Sequence, residues 1–419
     1  MYNEGMNPTR LFGVALAAVL LAARHSADPL IQLRELPAPA LAGAGQHNLA
    51  VAPDGRVILS WVDVLPDTSY ALRMSVLGGE WSRPRTIAQG RDWFINWADF
   101  PAIAVTDRVM VAHWLERNAP RSYAYGIRLS RSTDGGATWS AAVKPHRETV
   151  VHGPQSHAYY GFVSLWPMPD GTVGAAWTDS RNTGDTEEGH GFKNLRVTTW
   201  AGTGGLGPEI EVDDGICDCC QTAAAVTSDG PVVVYRDRTP NEIRDIAIVR
   251  QVNGAWTPPA IVSADNWTIN ACPVNGPAVA AEGRLVAVAW YTAAGGTRRV
   301  KVAFSADAGA TFGAPVTIDD GRPAGRVGVI LLGDGAALVS WLEDTPAGAE
   351  VRVRRATPAG ERGDAQTVTR TSAGRPSGFP RMVKSGDRVV FAWRDPAGGG
   401  VGGARVRTAV ARLAPTGTN

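Results

Sequence analysis

The chain has 419 residues, with 48 Gly, 28 Pro and 14 Trp, while charged residues make up only 19%. So many turn formers and so few charges exclude a long-helix or coiled-coil protein and point to many short strands. A formal net charge of +1, without Lys/Arg runs, gives no support for nucleic-acid binding.

Taken in order, the chain opens on Arg10 and an apolar run over 11–23. That run is too short to span a bilayer and has the length of a signal-peptide core. Small residues follow, and cleavage is expected after Ala27, with a buried N-terminal element as the alternative. Residues 1–27 then read as a signal peptide and 28–419 as one exported domain, periplasmic or extracellular. Loss of Arg10, Arg24 and Glu4 leaves equal numbers of basic and acidic side chains. No later segment is apolar enough to cross a membrane.

Seven copies of one unit follow: an apolar strand, a tight Asp/Gly turn, then a second apolar strand ending in an aromatic residue and often an acid. They cover 47–63, 100–116, 161–179, 222–237, 276–292, 328–343 and 378–395. The closing aromatics are Trp61, Trp114, Trp177, Tyr235, Trp290, Trp341 and Trp393. Their spacing of roughly fifty residues is the scale of propeller blades. Each unit continues into a third and usually a fourth strand. The last unit lacks a fourth after 406–413, and the segment 30–36 has no partner of its own, so the two are expected to pair and close the ring. The expected fold is all-β, a seven-bladed propeller of four-stranded antiparallel blades.

Two segments stand between third and fourth strands: STDGGATW at 132–139 and SADAGATF at 305–312. Asp134 can accept hydrogen bonds from the N–H groups of its own turn. Gly135 and Gly136 supply backbone conformations closed to other residues. The pattern Ser-x-Asp-x-Gly-x-Thr-aromatic resembles the Asp-box, or BNR, repeat of the sialidase-like β-propellers. The resemblance covers the repeat scaffold and implies a glycan-directed protein, a hydrolase or a carbohydrate-binding one. Sialidases have six blades, so six is the alternative to the seven counted.

Blade topology puts the Asp-boxes on one face and the crossings between blades on the other, around the channel mouth. The loops of that upper face are rich. Trp93, Phe94 and Trp97 lie in one crossing and are candidates for stacking on sugar rings, or for packing the loop down. His146, His152, His157, Tyr159 and Tyr160 lie in the next. Sialidase-type catalysis needs arginines for a substrate carboxylate, a Tyr–Glu nucleophile pair and an acid. The catalytic candidates are Asp99, Asp179, Arg181, Arg236, Asp237, Arg238 and Glu242. Candidates for ligand contact are Trp93, Trp97, His157, Tyr159 and Arg381, with Arg326 a further upper-face arginine. The Phe/Tyr-Arg-x-Pro motif of that family is absent, and no Tyr–Glu pair can be assigned by spacing.

Cys217, Cys219 and Cys220 precede the inner strand of the fourth unit, and Cys272 precedes that of the fifth. Adjacent inner strands should bring Cys272 near the other three. In an oxidising compartment this reads as disulfides stapling two blades. The alternatives are a redox dithiol, or a zinc or copper site completed by His152, His157 and His190. A scaffold without chemistry is the third functional reading.

Overall fold

The computed structural model describes Met1 and residues 28–118, 124–147, 159–182, 192–201, 204–396 and 403–414. The expected signal peptide, His152, His157 and His190 lie outside the described residues.

Seven antiparallel sheets form the blades of a propeller. Blades I to VI span 45–90, 103–143, 160–216, 223–263, 278–317 and 323–371. Blade VII takes three strands from 381–413 and its outermost strand from Leu30–Leu36, which pairs antiparallel with Arg405–Leu413. The N-terminal strand therefore closes the ring as the repeat count requires, and the alternative of six blades is excluded. The innermost strands touch in the order I to VII and then back to I.

Why these segments pack as blades is visible in the closing aromatics. A blade has two apolar faces, and each must be covered by its neighbour. Seven buried apolar clusters fill the seven interfaces. Each holds one of Trp61, Trp114, Trp177, Tyr235, Trp290, Trp341 and Trp393. An indole N–H in such a layer needs an acceptor. In four blades the acid two residues on provides it: Trp61 Nε1 donates to Asp63 at 2.8 Å, Trp114 to Glu116 at 2.9 Å, Trp177 to Asp179 at 3.0 Å and Trp341 to Glu343 at 2.6 Å. Residues i and i+2 share one face of a strand, so the pairing is built into strand geometry. Trp290 reaches Asp265 instead, and Tyr235 donates to Asp213, while Trp393 Nε1 has no acceptor among the described residues.

The two Asp-bearing turns share one geometry. Ser132 Oγ accepts from Gly136 N at 2.8 Å, and Asp134 Oδ1 accepts from Ala137 N and Thr138 N, both at 2.9 Å. Ser305, Asp307, Gly309 and Thr311 repeat the pattern. Hydroxyl and backbone donors hold both carboxyls well below the usual carboxylate range. Gly136 has φ +84°, and a Cβ there would meet Met74 Sδ at 2.9 Å. Trp139 packs against the cluster between blades I and II. The strand Tyr125–Ser132 ends at this turn, while its other end, Tyr125, reaches Asp99 at the channel mouth. The turns and the mouth thus lie at opposite ends of the blade.

Replacing Trp341 by Phe removes a donor from Glu343, which is 2% exposed. The variant is expected to lose about 1–3 kcal/mol of stability, read as a lowered urea midpoint at unchanged slope.

Candidate functional site

All seven innermost strands, with their entering crossings, line a cavity of about 230 Å³ at the channel. Its polar wall includes Asn48, Asp99, Ser164, Gln221, Thr222 and Arg381. A second cavity, of about 130 Å³, adjoins it across Phe100 and Phe379 and is lined by Gln46, His47, Trp97 and Arg394. Several inner strands enter the mouth through a backbone irregularity. Gln46, Phe162 and Arg326 have φ of +51°, +51° and +55°. Each such residue stores strain and turns the chain within the mouth.

Asp99 is 2% exposed in this wall. It accepts from Tyr125 Oη and Phe162 N, both at 2.9 Å. Burial outweighs these two donors and pushes its carboxyl up to about 7. At neutral pH this acid is therefore a proton donor as much as an acceptor.

Arg381 is half-buried on the inner strand of blade VII, with its guanidinium over the Phe100 ring at 5.2 Å. No acceptor and no carboxylate among the described residues pairs with it. Burial alone lowers it, to about 10, so it stays charged. His47 beside it is kept neutral, its pKa brought to about 3 by burial and the charges of Arg381 and Arg394.

The other arginines are occupied. Arg236 is 1% exposed and donates to the carbonyls of Asn275, Arg244 and Tyr291, with Trp267 against its face at 4.9 Å. Arg326 donates to Ser377 Oγ and to three carbonyls over 373–378, with its guanidinium 5.0 Å from the Trp97 ring and 5.7 Å from the Phe379 ring. Arg394 donates to the carbonyls of Ala44 and Pro376. These side chains pin crossing loops by their backbone carbonyls.

Of the remaining catalytic candidates, Asp179 with Arg181 and Glu242 with Arg238 form ion pairs. Asp179 is fully buried and is the acid of the Trp177 pair, and Arg181 binds it at 2.6 Å and Glu209 at 2.5 Å. Glu242 bridges Arg238 at 2.6 Å and Arg244 at 2.8 Å. Asp237 is half-buried, and burial, with the charges of Asp213 and Asp245, raises it to about 6. Trp93 is 2% exposed between Tyr70 and Trp114, in the core, so it offers no sugar platform. Trp97 is half-buried at the mouth and stacks on Phe379 at 5.7 Å.

A separate constellation lies on the rim of blades III to V. Cys217 Sγ is 3.3 Å from Cys220 Sγ and 3.8 Å from Cys219 Sγ. Cys219, Cys272 and Asp218 lie within 4.8 Å of one another, as expected from adjacent inner strands. Arg244 Nη1 donates to Cys217 Sγ at 3.3 Å. Burial works against ionisation of Cys217, yet its thiol neighbours and Arg244 outweigh it and hold that thiol well below the ordinary range. Tyr159 donates to the Asp218 carbonyl, beneath the Lys193 ammonium at 5.4 Å. All four cysteines are free thiols in the structure. Sequence reasoning missed Arg244, Lys193 and Asp218 here; the sole signal was the density of charge in RDRTPNEIRD, residues 236–245.

No family model matches the chain, and no curated protein matches its sequence. Solved structures share its fold. The polysaccharide lyase Uly1 is 11% identical over 90% of this chain and 90% of its own, with a TM-score of 0.53. The α-L-arabinofuranosidase Arb93A of Fusarium graminearum is 13% identical over 92% and 98%, with a TM-score of 0.50. A Hadza microbial sialidase is 15% identical over 72% of this chain at a TM-score of 0.43, and the chain spans 63% of its length. At these identities the likeness is one of fold.

The Asp99 carboxyl makes a testable contribution to stability. Its folded pKa lies above the unfolded value, so the contribution is complete below about pH 4 and is lost as pH rises through about 7. Asp99→Asn keeps the shape and does not titrate. Relative to wild type, the variant is expected to gain about 1–4 kcal/mol between pH 4 and pH 8 in chemical denaturation.

Proposed function

We propose that this chain is a glycan-directed propeller whose channel mouth recognises the carboxylate of an acidic sugar. The observation that carries the reading is Arg381, a shielded cation on the channel wall with no partner among the described residues. Shielding a charge is costly unless something pairs with it. A planar guanidinium matches a carboxylate through two parallel hydrogen bonds. Phe100 and Phe379 line the same cavity, and Trp97 the adjoining one, supplying aromatic surface, the usual complement of a sugar ring. Asp99, on the same cavity wall, can donate a proton to a ligand oxygen near neutral pH.

Two further features support a sugar ligand. Solved propellers of like fold include a polysaccharide lyase and an α-L-arabinofuranosidase. The paired turns at 132–139 and 305–312 resemble the Asp-box of sialidase-like propellers. The cavity, about 230 Å³, lies below the roughly 300–1,000 Å³ of pockets for drug-sized ligands, so it suits one substituted ring or chain end. Hydrolysis by paired carboxylates needs a second acid at about 5–10 Å. Among the described residues lining the cavity, Asp99 is the one carboxylate. The proposed activity is recognition of an acidic sugar. The apolar run at 11–23 adds the proposal that the protein is exported, where such glycans are met.

Calorimetric titration of the full chain with glucuronate and N-acetylneuraminate, against a neutral methyl glucoside, tests this. One of the acids is expected to bind in preference to the neutral sugar. Arg381→Gln is expected to weaken that binding about tenfold to a hundredfold, the worth of a charge-assisted pair, at unchanged melting temperature. Equal affinity in wild type and variant, or no preference for the acids, would overturn the reading.

A further inference from the structure

None of the four cysteines is among the residues lining the channel cavity, and the proposed sugar recognition does not use them. The four thiols come from two crossings that nothing in the repeat brings together except the adjacency of blades IV and V. The first crossing is held in place by backbone: Cys217 N donates to Arg236 O, and Arg238 N to Gly215 O, both at 2.9 Å. The second is held by Ile269 N donating to Glu242 O at 2.9 Å, beside a bridge from Ile243 to Thr268. The thiols are thus positioned by the scaffold and not by one another.

The four thiols form two groups that share Cys219, and not two pairs. Cys217 has two sulfur neighbours, at 3.3 and 3.8 Å, and Cys219 belongs both to that group and to the one with Cys272. Tetrahedral zinc with Zn–S bonds of about 2.3 Å sets sulfur atoms about 3.8 Å apart. A disulfide would instead draw two sulfurs to about 2.05 Å and leave the others out. We propose that Cys217, Cys219, Cys220 and Cys272 form a thiolate site for a thiophilic metal ion, zinc or cuprous copper.

Thiolate donors select these ions over hard cations. Four thiolates carry excess negative charge even around a divalent ion, and the cations beside them offset it. Arg244 touches Cys217 and is itself oriented by Glu242, at 2.8 Å. Lys193 lies over the Tyr159 ring and feels the charge of Asp218. Such partners around the ligands fix their orientation and tune the ion. Access is from solvent: Cys272 is exposed and Cys219 half-buried, while Cys217 and Cys220 are buried. The site would tie blade III's last crossing to the entrance of blade V, so binding should also stabilise the ring.

The test uses the full chain, purified without chelator, reduced under anaerobic conditions, incubated with zinc or with cuprous ion in separate arms, desalted and analysed for metal. About one ion per chain is expected in at least one arm, with a raised melting temperature and four thiols that react only after the metal is stripped. Cobalt(II) in place of zinc should give the intense visible bands of tetrahedral thiolate coordination. Cys219→Ser and Cys272→Ser are each expected to lower metal affinity at least tenfold, with circular dichroism like that of wild type. Retention below a tenth of an ion per chain in both arms, with the four thiols free and the fold intact, would overturn the proposal. So would isolation of the chain with two disulfides that, once reduced, confer no metal binding.

Discussion

A tryptophan at a blade interface brings an N–H group into a layer that has no water to satisfy it. The rest of the structure follows from how that group is answered. Four blades place an acid two residues on, where strand geometry guarantees the reach. The indole loses its unmet donor and the acid gains a partner, so two costly burials cancel. The acids then bind the next layer: Asp63 accepts from Leu41 N, Glu116 pairs with Arg128, Asp179 with Arg181, and Glu343 accepts from Arg322 N. Packing, hydrogen bonding and loop anchoring are thereby one repeated device, and it consumes Asp179, one of the acids that a sequence reader would assign to chemistry.

A parallel economy governs the arginines. Arg236, Arg326 and Arg394 reach across the mouth to backbone carbonyls that crossing loops would otherwise leave unpaired. Strained residues such as Phe162 and Arg326 sit where those loops turn into the channel. Arg381 and Asp99 on the channel wall and the thiols on the rim belong to neither device. Binding chemistry is best sought in groups whose cost of burial is not already offset within the fold.

The architecture was legible because it is periodic. Seven aromatic-ended strands spaced by roughly fifty residues leave few alternatives, and the orphan strand at 30–36 had one place to go. The Asp-bearing turns were legible because Ser, Asp, Gly and Thr each have a single task there, and each performs it. The approach of Cys272 to Cys219 followed from strand adjacency alone. The roles of single charged residues were not legible. Asp179 reads as a loop acid until Trp177 is seen two residues earlier in the same buried face. Arg236 and Arg238 look alike in sequence, yet one pins three carbonyls and the other pairs with Glu242. Trp93 reads as a loop aromatic but is fully packed, because Tyr70 and Trp114 flank it from strands distant in the chain. Spacing carries periodic information well and carries little about which distant backbone group a long side chain will meet.

The claim on which the functional reading rests is that Arg381 has no hydrogen-bond or carboxylate partner among the described residues because its partner is the ligand. A crystal structure of the full chain soaked with an acidic monosaccharide tests it most directly. The carboxylate is expected within hydrogen-bond distance of the Arg381 guanidinium, with the sugar ring beside Trp97 or Phe100. A sugar bound elsewhere on the propeller, with Arg381 left facing an unliganded channel, would contradict it.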